Sequence, residues 1–160
     1  MRRSKQSLPL DDTRQILREQ TNGVLSLATP DGTPYGVPLS FAYDGENAIY
    51  FHGATQGRKL DCIGQGCRCS FCVVSRDSIV PEEFTTYFSS VIVSGSISVV
   101  DNRDEMLKGL LLLCEKYSPG IDNSSEIAQG LNHVCVLRLD ITDITGKEAI
   151  ELTRQRSAAR

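Results

Sequence analysis

The sequence predicts a mainly β fold: roughly six antiparallel strands in a closed or nearly closed barrel, with a few peripheral helices. Three observations lead there. β-prone segments recur through the first half, separated by turn pairs such as Asp31-Gly32 and Asp44-Gly45. Two further β-prone runs follow at 84–100 and 133–141. Helical periodicity is confined to brief stretches beside them, too little for a separate helical layer. Closing the sheet would also remove exposed edges.

The elements follow in order. Asp11 and Asp12 precede Ile16 and Leu17, so a short helix is expected over 10–20, with acids where the helix start is electropositive. Val24 to Ala28 reads as a strand, and Pro30-Asp31-Gly32-Thr33 as a turn. The return strand is expected over 34–43, with Pro34 and Pro38 implying an edge or irregular ladder. Residues 48–52 form the next strand, residues near 57–65 a short helix, and 67–74 a cysteine-bearing strand. The polar stretch 75–85, broken by Pro81, reads as a loop. In the long run 84–100, Gly95 marks a bulge or bend. Asn102 with Glu105 resembles a helix cap leading into Leu107, Leu110, Leu111, Cys114 and Tyr117, and Ser118-Pro119-Gly120 ends that helix. A weak helix near 124–131 precedes the last strand, 133–141.

At 160 residues, 40% hydrophobic and 23% charged, the chain has the size of one domain, 1–160, with charged tails around a core of about 10–150. A net charge of -3 favours neither nucleic acid nor an anionic membrane as partner, so any anion site must be local. The tail cations Arg2, Arg3, Lys5, Arg154, Arg156 and Arg160 read as solvated. No window approaches a membrane span, and no apolar stretch follows the first cations as in a secretory signal. A cytoplasmic location is therefore expected.

The most informative segment is Tyr50-Phe51-His52-Gly53-Ala54-Thr55-Gln56-Gly57-Arg58-Lys59-Leu60-Asp61. A strand runs into a small-residue turn that presents two adjacent cations at a helix start. Such a turn suits a phosphate: backbone N–H groups and glycines admit an anion closely, Arg58 adds a fork of donors, and Lys59 adds a point charge. An ordinary solvated turn fits the segment as well. A nucleotide-triphosphatase loop does not, because Gly57 is followed by Arg-Lys-Leu rather than Lys-Ser/Thr.

Cys62, Cys67, Cys69, Cys72, Cys114 and Cys135 are expected to be reduced, mostly buried thiols. A zinc or iron–sulfur site at Cys69-x-x-Cys72 is disfavoured, because residues three apart on a strand face opposite ways. No second ligand pair completes such a site. With only His52 and His133, no Ser/His/Asp set for acyl transfer stands out. His133 and the tyrosines at 35, 43, 50 and 87 read as structural packing, and Glu82-Glu83 as a solvated acid pair.

The order of these marks resembles the pyridoxamine 5'-phosphate oxidase-like split-barrel flavoproteins, and is most similar to their nitroimidazole-resistance (Nim) branch. The resemblance covers about 10–150. It rests on Asp31-Gly32-x-Pro34-x-x-Val37-Pro38-Leu39, Ile49-Tyr50-Phe51-His52-Gly53 and Gly57-Arg58-Lys59-Leu60-Asp61. Ser90-Val91-Ile92-Val93-x-Gly95 and Leu137-Arg138-Leu139-Asp140-Ile141-x-x-Ile144-Thr145-Gly146-Lys147 complete it. The resemblance implies a six-stranded split barrel with FMN at the interface of a homodimer. Val37, Pro38, Leu39 and Ser40 would line the flavin ring through their backbone. His52 and Gly53 would stand by the ribityl chain or phosphate, Arg58 and Lys59 would hold the phosphate, and Ser90 would reach in from the partner subunit. Three positions depart from relatives. Ser40 and Phe41 stand where the oxidases carry a basic residue, Thr145-Gly146-Lys147-Glu148 replaces their C-terminal substrate signature, and Ser89 replaces an arginine common in the Nim branch. Vitamin oxidation is therefore not expected.

If FMN binds, the implied activity is reduction of a small acceptor, such as a nitroaromatic or quinone, by electrons from NAD(P)H. No glycine fingerprint of a Rossmann domain is present, so a nicotinamide would dock transiently. His52 could contact the ligand, fill the strand end, or donate a proton as the one candidate catalytic residue. The competing reading is a non-catalytic module that binds FMN, haem or a similar anionic planar ligand. A cysteine-based metal protein is a weaker third.

Overall fold

The computed structural model describes residues 4–131 and 133–158. Helix α1 (Leu10–Glu19) opens the barrel domain, with Asp11 and Asp12 in its first turn as expected. Seven β segments follow: β1 (Asn22–Ala28), β2 (Pro34–Ser40), β3 (Ala42–Tyr43), β4 (Ala48–Gly53), β5 (Cys67–Val80), β6 (Thr85–Val99) and β7 (Cys135–Glu148). Between them lie α2 (Arg58–Ile63), α3 (Arg103–Tyr117) and α4 (Ser124–Gly130), and α5 (Ile150–Ala158) ends the chain.

All seven strands form one antiparallel sheet in the order β2-β1-β5-β6-β7-β4-β3. The outermost strands, β2 and β3, are halves of one chain segment interrupted at Phe41, so this segment pairs with β1 at one end and with β4 at the other. The sheet closes on itself there, and the six expected strands become seven because one is bent across the seam. Phe41 causes the bend. Its ring is fully buried, edge-on to Phe71 at 4.9 Å, and it lies within a core that also takes Leu25, Ile49, Phe51 and Val93. Alternation along β1 puts Gly23, Leu25 and Leu27 inside and Val24 and Ser26 outside.

Three expectations need correction. The stretch 75–85 is not a loop: β5 continues to Val80 and pairs with β6 as far as Val80↔Thr85, beyond a register shift between Val74 and Arg76. An extra residue there reverses the apparent alternation, which is why the sequence looked irregular. The strand expected at 34–43 is broken at Phe41. The arginine-rich C-terminus is helical, and Arg156 there pairs at 2.6 Å with the buried Glu148. Residues 1–3 and 159–160, which hold Arg2, Arg3 and Arg160, lie outside the described residues.

Helix α3 packs on the outer surface of β4. Asn102 caps it, accepting from the Asp104 and Glu105 backbone N–H groups. The Glu105 side chain turns instead to the Tyr50 hydroxyl and to Arg138 at 2.8 Å. Tyr50 is fully buried, and burial raises its phenol well above the usual value, with the Glu105 hydrogen bond adding to the effect. At the other end, the Lys116 ammonium donates to the Gln20 and Leu17 carbonyls and lies 4.0 Å from the Phe41 ring centroid. Burial lowers its pKa to about 8. The helix is thus fastened at both ends.

Candidate functional site

Extending the β3–β4 register, where Ala42 faces Tyr50 and Tyr43 faces Ile49, brings Ser40 level with His52. There the ladder stops. On its far side β2 pairs only with β1, so its other edge is a free strand edge facing the segment that leaves β4. That segment, Gly53 to Lys59, carries Arg58 back to Tyr35 on β2.

Ser40 and His52 mark one end of the free edge. Their outward faces join Leu110, Leu113, Cys114, Tyr117 and Ser118 around a cleft of about 330 Å³. Apolar residues of α3 form its back wall, and the His52 imidazole stands at its strand side. The Tyr117 hydroxyl accepts from the Phe41 N–H at 2.9 Å and lies within donating distance of the Thr21 and Phe41 carbonyls at 2.6 and 3.0 Å. One side chain therefore satisfies the backbone at the strand break. Replacing Tyr117 with Phe strands these groups, and we expect it to lower stability by about 2 kcal/mol in urea unfolding.

Arg58 and Lys59 mark the other end. The Arg58 guanidinium stacks over the Tyr35 ring, 4.8 Å from its centroid. This places it at the start of β2, five residues or about 16 Å from Ser40 along the strand. Lys59 folds back over the strand end: a Cβ built on Gly53 would stand 2.7 Å from the Lys59 Nζ, so glycine is what lets the ammonium sit there. Burial raises the thiol pKa of Cys135, which pairs with Gly53, and the nearby Lys59 opposes that shift. Among the described residues neither Arg58 nor Lys59 belongs to an ion pair. Two adjacent cations without acidic partners, beside a free strand edge, fit an anionic ligand that has a planar part.

Along β2, Val37 and Leu39 point inward, half-buried against the core, while Pro38 and Ser40 point outward. Ser90 is not at this edge. It lies on β6, opposite Val74 and Lys147, with β1 and β5 between it and β2. Sequence reasoning missed the α3 wall and weighed Tyr35 as structural packing. The stripe Leu110, Cys114 and Tyr117 was visible as a helical face, but nothing local says that this face meets the end of β4.

The cysteines separate by strand face. Cys67 and Cys69 pack against the core, and burial pushes the Cys69 thiol up to about 12. Cys72 faces outward between Val24 and Ile92. Cys62 and Cys135 are buried, whereas Cys67, Cys69, Cys72 and Cys114 are only half-buried. Among the described residues no group of three or more His, Cys, Asp or Glu is placed to hold a metal ion. None of the helices described is long and apolar enough to cross a membrane. His133 is exposed in the turn before β7, and Glu83 accepts from the Tyr87 hydroxyl at 2.8 Å.

Solved structures share this architecture. A candidate 5-nitroimidazole antibiotic resistance protein from Bacteroides thetaiotaomicron superposes with a TM-score of 0.78 at 16% identity, over 89% of this chain and 86% of that one. An FAD and heme binding protein from Mycobacterium smegmatis gives 0.75 at 20% identity, over 91% and 74%. A flavocytochrome from Azotobacter vinelandii gives 0.66 at 18% identity, over 88% and 67%. At these identities the likeness establishes the fold alone. No curated protein matches the sequence. The family model for pyridoxamine 5'-phosphate oxidase matches residues 9–148, nearly the whole chain. By fold and by sequence model, the chain belongs to the pyridoxamine 5'-phosphate oxidase family.

Proposed function

We propose that the protein is an FMN-binding flavoprotein, acting in the cytoplasm as a homodimer and reducing a small acceptor such as a nitroaromatic or quinone. The observation that carries this reading is the free β2 edge with Arg58 and Lys59 near its start, two cations that have no acidic partner among the described residues. A structural relative named for FAD and heme binding and another named as a flavocytochrome support a flavin as the ligand. FMN suits Arg58 and Lys59 because its tail ends in a single dianionic phosphate.

FMN when bound supplies hydride and electron transfer. The chain's own residues bind, orient and shield. Arg58 and Lys59 neutralise the phosphate. The backbone of Val37 to Ser40 offers groups along the strand edge, and Gly53 leaves room beside them. His52 can hydrogen-bond the ligand from the strand end. Leu110 and Leu113 exclude water from behind, which strengthens polar contacts in the cleft. NAD(P)H would supply electrons by transient docking.

The homodimer is supported by the outer face of the barrel wall. The central outward positions on β1, β5 and β6 are Val24, Ser26, Ser70, Cys72, Val74, Ser90, Ile92 and Ser94, all uncharged, with Arg68 at one end of this face and Asp77 at the other. A solvated sheet face in a chain that is 23% charged should carry charge, and its depletion is typical of interface cores. Ser90 would reach the partner's flavin from this face.

A second reading, a module that holds FMN, haem or another planar anion without turnover, is favoured by the cleft itself, whose lining offers His52 and no carboxylate. Purified protein is expected to be yellow, or to take up FMN with flavin absorbance at one per chain, confirmed by mass analysis of released ligand. Sustained NAD(P)H-dependent reduction of a nitroaromatic or quinone separates enzyme from module. A colourless protein that takes up no FMN overturns both flavin readings.

A further inference from the structure

We propose that Cys67 and Cys62 form a peroxide-reactive pair: Cys67 meets hydrogen peroxide in a cavity at the start of β5, and Cys62 closes the resulting sulfenic acid to a disulfide. The inference stands apart from the flavin reading. Cys62 lies in the last turn of α2, and Cys67 opens β5. Between them the Gly66 N–H donates to the Ile63 carbonyl at 2.8 Å, closing a tight turn that the two cysteines flank. Gly64 (φ 53°) and Gly66 (φ 127°) supply the positive-φ backbone that this turn requires. Cys62 belongs to the buried core, and Cys67 packs against the same core. Burial raises the Cys67 thiol pKa, and the neighbouring Cys62 raises it further, so the two sulfurs lie in each other's field.

Access divides the roles. Cys62 is 9% exposed, whereas Cys67 is half-buried and lines a cavity of about 250 Å³ with Gly66, Arg68, Ser96, Ser98 and Asp140. A water occupies about 30 Å³ of liquid, so this cavity admits a peroxide easily. Asp140 is engaged by Arg138 at 2.8 Å, while Arg68 has no acidic partner among the described residues. The Arg68 guanidinium and the Ser96 and Ser98 hydroxyls are therefore the donors that can hold a peroxide and the hydroxide it sheds. The Cys67 sulfur attacks one peroxide oxygen as the thiolate. The O–O bond breaks, and the hydroxide leaves as water with the thiol's proton. The Cys62 sulfur then attacks the Cys67 sulfur, the S–O bond breaks, and a second water carries away the Cys62 proton. Two thiols lose two electrons, and one peroxide gains them. A raised pKa makes Cys67 slow, so the pair responds to excess peroxide rather than to a resting level. Cys69, which burial holds up at about 12, is less reactive still. The bond fastens α2, the helix that begins with Arg58 and Lys59, to the barrel wall.

The test treats reduced full-length protein with excess hydrogen peroxide and then blocks the remaining thiols with iodoacetamide in denaturant. Mass analysis follows the tryptic peptide 60–68, which holds Cys62 and Cys67 and no other cysteine. We expect this peptide to lose both alkyl groups and to weigh two hydrogens less than its reduced form, with dithiothreitol restoring both. Cys69 and Cys72, on peptide 69–76, should remain alkylated. In Cys62→Ser, a near-isosteric change whose fold circular dichroism checks, oxidation should stop at a Cys67 sulfenic acid that dimedone traps. Full alkylation of Cys62 and Cys67 after peroxide overturns the proposal. So does a bond joining Cys67 to Cys69 or Cys135 instead, or a Cys62→Ser variant whose Cys67 never reacts with dimedone.

Discussion

The Arg58→Ala/Lys59→Ala variant should lose FMN uptake, with Kd rising about 1000-fold. Each charge-assisted hydrogen bond to a phosphate contributes about 2 kcal/mol, and two together correspond to about three decades in affinity. Lys59→Ala alone should cost more than Arg58→Ala. Lys59 is half-buried over Gly53, where its field is less screened, whereas Arg58 is exposed above Tyr35. Neither cation pairs with an acid among the described residues, so the double variant should fold normally and the effect should be confined to binding. Added salt should reduce the wild-type affinity and leave the variant's residual affinity nearly unchanged. Titration followed by flavin fluorescence checks this, and an unchanged Kd would remove the phosphate assignment.

The second large effect concerns the wall that shapes the barrel. Gly95→Ala should lower stability by about 3 kcal/mol, or the melting temperature by about 10 °C. The ladder of β6 with β7 shifts register between Ser94 and Gly95. A Cβ at Gly95 would collide with the Asp140 carbonyl oxygen and stand 2.9 Å from Leu139 Cδ2. The carbonyl is backbone within the ladder and cannot swing aside, so relief requires the strands to part. Thermal unfolding of Gly95→Ala beside wild type checks the prediction, and a change below 2 °C would contradict it.

What the sequence made legible was what is local. Gly95 could be recognised as a bulge because glycine in a β-branched run has few other reasons to be there. The Gly57-Arg58-Lys59 turn could be recognised because its chemistry lies in adjacent residues. Alternation revealed that Cys69 and Cys72 face opposite ways. The break at Phe41 was hidden because its causes are distant: Phe71 in the core and the Tyr117 hydroxyl, 76 residues away in sequence. The continuation of β5 was hidden by the extra residue at Ser75, which disturbs the period of two. Arg156 looked solvated because its partner, Glu148, closes a strand that the sequence reading ended at Ile141. The pairing of Ser40 with His52 emerges from register, and the α3 wall from packing on Tyr50. Both need the fold first.

The account depends on an anion tail being gripped where β4 gives way to α2. A crystal structure of the protein grown with excess FMN measures this directly. The prediction is a phosphate within hydrogen-bonding distance of both the Arg58 guanidinium and the Lys59 ammonium, with the ring lying along the free edge of Val37 to Ser40. Flavin bound elsewhere, or both cations turned to solvent in its presence, would contradict the account.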